Sequence, residues 1–109
     1  MATTYKTLGQ AAPAATTSTD LYTVPASTSA IVSTVVITNR STSPATFRIS
    51  QSLIGAALAN KDYLVYDSAI PASGFITLTL GITMATTDKL RVYASTADLS
   101  FNAFGTEIS

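Results

Sequence analysis

An antiparallel all-β sandwich is the fold class this chain predicts, and three observations carry it. The first is residues 30–40, Ala-Ile-Val-Ser-Thr-Val-Val-Ile-Thr-Asn-Arg, the longest run rich in β-branched residues, a composition that fits a pleated strand. The second is a series of about seven to eight such short runs, each cut by a Pro, Gly, Ser or Thr turn. The third is the absence of any strand–helix alternation or 20–50-residue repeat of the kind that marks parallel or solenoid folds. Together they give a sandwich, jelly-roll-like or Ig-like, with an extended N-terminal arm. The division expected is an arm at 1–19 and a sandwich domain at 20–109.

In chain order, the arm comes first. Its residues 5–8 suit a short strand, whereas 10–19 is a small-residue linker in which Pro13 biases Ala12 to extended geometry. Residues 21–24 form a short strand stopped by Pro25, and 26–29 turn into the central run. Alternation there places Ile31, Ser33, Val35 and Ile37 on one face and Val32, Thr34, Val36 and Thr38 on the other. The second face is greasier than a solvent face should be, so a second sheet or another subunit is expected over it. Residues 41–44 turn by composition, and Ala45–Ser52 points Phe47 and Ile49 inward. Residues 53–60 lean helical, but Gly55 and the short length favour a single turn.

Tyr63–Ile70 is the next strand, ended by Pro71 and the turn 72–74. Residues 75–80 alternate, with Ile76, Leu78 and Leu80 inward. Gly81 and residues 85–88 interrupt the chain. Residues 89–95 place Leu90, Val92 and Ala94 inward and Lys89, Arg91 and Tyr93 outward. Over Leu99–Ile108 the pattern slips, because Leu99, Phe101 and Ala103 share one face and Phe104 and Ile108 the other. A bulge or a second buried surface explains such a slip. The expected core is Ile37, Phe47, Ile49, Leu78, Leu80, Leu90 and Val92.

The composition bounds the function. One domain's length, 109 residues, carries 47% apolar and only 11% charged residues, against a usual charged share of about 25%. Roughly a third of the chain is Ser or Thr. The six basic and six acidic residues cancel, which removes the basic footprint of a nucleic-acid binder. Near-zero net charge promotes association. No apolar run approaches the ~20 residues of a membrane span, and Met-Ala-Thr-Thr-Tyr-Lys lacks the charged and apolar regions of a signal peptide. A soluble product made in the cytoplasm, touching neither nucleic acid nor membrane, is the expectation.

Catalytic chemistry has little to draw on. With no His and no Cys, the usual general bases, thiolate nucleophiles and transition-metal ligands are missing. Asp62 and Asp67 are the closest carboxylates in sequence, and both read as turn formers rather than a glycosidase pair. A Ca²⁺ site from Asp62, Asp67 or Asp88 lacks the spaced Asp-x-Asp-x-Asp run. The five isolated glycines form no phosphate loop. The inventory implies no enzyme, no cofactor and no metal. Tyr22, Tyr63, Tyr66, Tyr93, Phe101 and Phe104 read as core or interface, with a sugar-stacking platform as the alternative. Arg40, Arg48 and Arg91, at or near outward faces, are placed to pair with acids of a neighbour.

Three stretches carry a resemblance: Leu21-Tyr-Thr-Val-Pro25; residues 30–50 with Asn39-Arg40-Ser41 and Ala45-Thr-Phe-Arg-Ile-Ser50; and Asp62-Tyr-Leu-Val-Tyr-Asp67 through Ile70-Pro71 to Leu90-Arg-Val-Tyr-Ala-Ser95. Over about residues 20–107 the chain resembles the small β-sandwich virion structural proteins of tailed bacteriophages, including those infecting cyanobacteria. The resemblance implies a non-enzymatic particle component, assembled in the host cytoplasm and located in the virion. A capsid cement or decoration protein is the leading expectation. A tail, collar or baseplate protein and a glycan- or receptor-binding module are the alternatives. Partners would be copies of itself, as a dimer or trimer, and the major capsid protein or other virion proteins. The residues expected at such interfaces are Tyr5, Leu8, Val32, Val36, Arg40, Arg48, Arg91, Tyr93 and Phe104. Tyr5 and Leu8 serve as anchors of an arm that is mobile in the free chain.

Overall fold

The computed structural model describes residues 2–109, which form nine strands: β1 (Thr3–Ala11), β2 (Thr19–Thr23), β3 (Ser29–Asn39), β4 (Ala45–Ser52), β5 (Tyr63–Ile70), β6 (Phe75–Leu78), β7 (Ile82–Met84), β8 (Lys89–Ala94) and β9 (Leu99–Ile108). One sheet runs β1-β9-β3-β6, with β7 also on β3, and the other runs β2-β8-β4-β5. Every pairing is antiparallel. The two sheets pack face to face as a β-sandwich, as the alternation predicts. Only two 3-10 turns, Leu53–Gly55 and Asn60–Asp62, break the all-β character of the described residues.

Between the sheets lie Val35 and Ile37 of β3, Phe47 and Ile49 of β4, Leu90 and Val92 of β8, and Leu99 and Phe101 of β9, all essentially inaccessible. Phe47 and Phe101 meet edge-to-face across the sheets, with centroids 6.2 Å apart. That geometry suits the ring quadrupoles and adds to the gain from burial. Five of the seven expected core residues are fully buried. Leu78 packs only partly against the core, and Leu80 is 45% exposed.

The first departure concerns the arm. Residues 3–11 form a strand that pairs with β9 from Thr3↔Ile108 to Ala11↔Phe101, while Leu8 and Ala11 pack against the core. Met1 lies outside the described residues. The stretch looks polar in isolation, yet β9 offers its backbone a full ladder of partners. Satisfying those donors and acceptors decides the matter where side-chain patterning is weak. Thr19–Thr23 then opens the second sheet, so of the linker expected over 10–19 only residues 12–18 form the crossover, Gln10 and Ala11 lying in β1 and Thr19 in β2.

The second departure is one of phase. Val32 is fully buried and Ile31 is 42% exposed, the reverse of the expected alternation. The β3–β9 register shifts between Val32 and Thr34, leaving Ser33 as a bulge residue whose Oγ donates to the Phe104 carbonyl at 3.1 Å. A bulge spends one residue without advancing the pairing, so the alternation before it is inverted. At the same level β1 bulges at Leu8, and β6 and β7 are separated by Thr79, Leu80 and Gly81. Gly81 takes φ +63°, a conformation open to glycine. This break turns Leu80 out of the core. Between the bulges sits Gly105, where a Cβ would run into the Ile31 carbonyl. Ile82 and Met84 of β7, unassigned by sequence, are buried beyond the break.

Candidate functional site

The two outer faces of the sandwich differ sharply in chemistry. On the first sheet, the register sets Tyr5, Thr106, Ile31 and Thr83 side by side across β1, β9, β3 and β7. The next row outward is Thr7, Phe104 and Thr34, followed by Gln10, Asn102, Val36 and Thr77, and then Ser100, Thr38 and Phe75. None of these side chains is charged. Tyr5 is 82% exposed and Phe75 70%, with Ile31 and Phe104 partly exposed between them. Arg40 stands at the rim, donating from Nε to Ser100 Oγ and from Nη2 to the Ala97 carbonyl, each at 2.9 Å. Lys6 and Glu107 belong to the inward phase, where the Tyr22 hydroxyl donates to Glu107 Oε2 at 2.6 Å. That hydrogen bond holds the Glu107 carboxyl below its usual range. At the β1 end of the face, Gln10, Ala11, Ala12, Ser100, Phe101 and Asn102 line an open depression of about 330 Å³.

On the second sheet, charge is dense and internally paired. Between Phe47↔Ser68 and Ile49↔Val65 the β4–β5 register shifts, so Arg48 opposes both Tyr66 and Asp67. Asp67 takes φ +50° to complete this bulge. Its two carboxylate oxygens accept from Arg48 Nε at 2.6 Å and Nη2 at 3.2 Å, a bidentate fork that holds the Asp67 carboxyl low. Arg48 opposes Tyr93 on its other side, and its guanidinium lies 4.2 Å from the ring centroids of both Tyr66 and Tyr93. Tyr63 meets Tyr66 edge-to-face at 4.8 Å. Farther along the face, Asp20 accepts from Lys89 Nζ at 2.9 Å and Arg91 Nε at 3.1 Å, which lowers its carboxyl too, Lys89 contributing most. Arg91 Nη1 also donates to Ser52 Oγ and to the Ala56 carbonyl.

The connection between β4 and β5 carries an apolar tip. Leu53 is 61% exposed and Ile54 77%. Ile54 has φ +52°, a left-handed conformation that a β-branched residue adopts only at a cost of about 1–3 kcal/mol. It is held there by Asp88, whose Oδ1 accepts from the Ile54 N–H and Oδ2 from the Ala85 N–H, both at 2.9 Å. Asp88 is itself 3% exposed. Nothing in the sequence distinguished it from a turn aspartate.

The residues expected at an interface therefore divide. Tyr5, Val36 and Phe104 share the uncharged face, with Arg40 at its rim. Arg48, Arg91 and Tyr93 share the charged face, where both arginines pair within the chain rather than reaching for a neighbour's acids. Leu8 and Val32 are not outward at all, because the bulges in β1 and β3 turn them to the core. Asp67, expected as a turn former, is the partner of Arg48, whereas Asp62 caps its turn by accepting from the Ala59 N–H at 2.9 Å. Tyr63, Tyr66 and Tyr93 do cluster, while Phe101 is core and Tyr22 is tied to Glu107. Among the described residues no group of three or more His, Cys, Asp or Glu gathers as a metal site. No protein-family model matches the chain, and no curated protein matches it.

Proposed function

We propose that this protein is a non-enzymatic structural subunit that self-associates through the outer face of its first sheet, as a cement or decoration component of a tailed-phage virion. The observation that carries the reading is the segregation of charge. A chain with six basic and six acidic residues leaves a five-stranded face with no charged side chain inside its Arg40 rim, built of Thr, Ser, Gln and Asn with Tyr5, Ile31, Val36, Phe75 and Phe104 among them. Depletion of charge with exposed aromatic side chains, here Tyr5, Phe75 and Phe104, is the signature of an interface centre. The virion assignment rests on the resemblance carried by residues 20–107. The glycan-binding alternative draws on Tyr63, Tyr66 and Tyr93, but the sides of Tyr66 and Tyr93 that face each other are already covered by Arg48.

Sedimentation equilibrium of the full chain tests the self-association. A concentration-dependent oligomer is expected, and a strict monomer at every concentration overturns it. Copy number by mass spectrometry of purified particles then separates a shell component from a tail component.

A further inference from the structure

β1 adds no fully buried residue to the core. Thr3–Thr7 and Gln10 are exposed, and only Leu8 and Ala11 pack partly against the interior. β9, which carries β1, is held independently by β3 from Ser29↔Ile108 to Asn39↔Leu99. β1 is kept in place by its backbone ladder with β9, by the Lys6–Glu107 pair at 3.3 Å and the Gln10–Asn102 bond at 2.7 Å, and by the close seat of Gly9 against the Leu21 carbonyl. It reaches β2 through a crossover in which Pro13 is buried and residues 14–18 are all exposed. That crossover is strained. Thr16 takes φ +54°, a left-handed conformation that a β-branched residue disfavours, and its N–H donates to the Ala94 carbonyl at 2.8 Å.

We propose that β1 exchanges between two copies of the chain, the hinge at 14–18 opening so that residues 3–11 of each copy lie on β9 of the other. The fit of the partner is given by the molecule itself. The edge that receives β1 on a second copy is the edge it already occupies, so the ladder, the Lys6–Glu107 pair and the Gly9 seat are remade in the same register. Exchange of an identical element is for this reason a low-cost route to a dimer. The balance between closed and exchanged forms then turns on the hinge. Opening it gives up the bond to Ala94 and the freedom of one molecule, and it releases Thr16 from its left-handed conformation; short strained hinges favour exchange. A chain that folds dilute closes on itself, and copies that fold crowded together exchange. In the exchanged dimer each uncharged face is completed by Tyr5 from the other copy. The exchange uses the edge of the first sheet and does not rest on the pairing of uncharged faces.

The test places Thr3→Cys and Ile108→Cys together in the full chain, which has no cysteine of its own. Ala2 and Ser109 exchange both backbone hydrogen bonds, so Thr3 and Ile108 are the next, non-hydrogen-bonded pair, with Cα atoms about 4.5 Å apart. That spacing admits a disulfide. The bond forms within one chain in the closed form and between two chains in the exchanged form. The double variant is refolded from denaturant at high and at low concentration, oxidised, and run on a denaturing gel without reductant. A covalent dimer from the concentrated sample and a single-chain band from the dilute one are expected. A single-chain band from both overturns the exchange; oligomers of that same sample in sedimentation would leave the proposed function standing. Two hinge variants of the otherwise unaltered chain give a second reading, as the fraction of dimer that survives dilution after concentrated refolding. Thr16→Gly accepts the left-handed backbone and should lower that fraction about threefold or more. Thr16→Pro can neither adopt that φ nor donate to Ala94, and should raise it. A fraction that ignores both substitutions, or moves the same way with both, overturns the exchange.

Discussion

The outer face of the β1-β9-β3-β6/β7 sheet and the outer face of the β2-β8-β4-β5 sheet cover the same core and solve opposite problems. The second is finished within the molecule. Each of its arginines has a carboxylate partner, Arg48 with Asp67 and Arg91 with Asp20, and the largest aromatic cluster is braced by a guanidinium. The first has no such closure: apart from the Arg40 contact to Ser100 at its rim, no ion pair ties its side chains together. A protein of average charge would hide this contrast. Here charged groups are scarce enough that where they are absent becomes informative.

The largest expected effect erases the contrast. Phe47→Ala removes the ring that meets Phe101 between the sheets and should cost about 3–5 kcal/mol by chemical denaturation. Loss of the core loosens both faces together, so a variant that kept one face's behaviour intact would show the sheets to be independent.

Phe104→Lys should separate the faces. A lysine stem can cover much of the same surface, so stability should fall by no more than about 1 kcal/mol. The charge at the centre of the uncharged face should abolish oligomers in light scattering. Arg48→Ala is the mirror experiment. It removes the fork to Asp67 and the brace between Tyr66 and Tyr93, and should lower the thermal midpoint while leaving self-association unchanged.

The smallest effect is one of pH and salt. The carboxyls of Glu107, Asp67 and Asp20 are all held low, by hydrogen bonds from Tyr22, Arg48 and Lys89 respectively. Each therefore binds its proton more weakly in the folded chain than in the unfolded one. Their contribution is complete above the ordinary carboxylate range, about pH 4, and is lost as the pH falls through the lowered folded values. Thermal midpoints should stay level from neutral pH down to that range and then drop. The proposed self-association, whose face carries no carboxyl, should remain flat over the level region. Added salt should weaken the exposed ion pairs of the second sheet and spare the association.

Much of this arrangement was legible before any coordinates. Strands at Ala45–Ser52 and Tyr63–Ile70, one at 89–95 that the structure ends a residue earlier at Ala94, and the burial of Phe47, Ile49, Leu90 and Val92, follow from alternation and turn residues alone. What escaped was wherever two residues share one pairing step. Ser33 sits in an unbroken β-branched run that gives no sign of a bulge, so Ile31 and Val32 exchange faces. Tyr66 and Asp67 occupy one step opposite Arg48, and strict alternation would set them on opposite faces. β1 reads as an arm because its side chains say little, and its place is decided by the backbone of β9 at the other end of the chain. Asp88 and the left-handed Ile54 lie in connections, where the sequence records composition but not conformation.

The pairing of β1 with β9 has one more consequence. Ala2 and Ser109 exchange both backbone hydrogen bonds, at 2.6 and 2.9 Å, so the first and last described residues stand side by side at one corner of the sandwich. A short flexible linker should join them without strain, and the chain could then be reopened in the exposed turn at 41–44 to give a circular permutant with the same nine strands. By the same geometry, polypeptide fused to either residue would leave from one point, which makes the domain insertable into a host loop as a single plug.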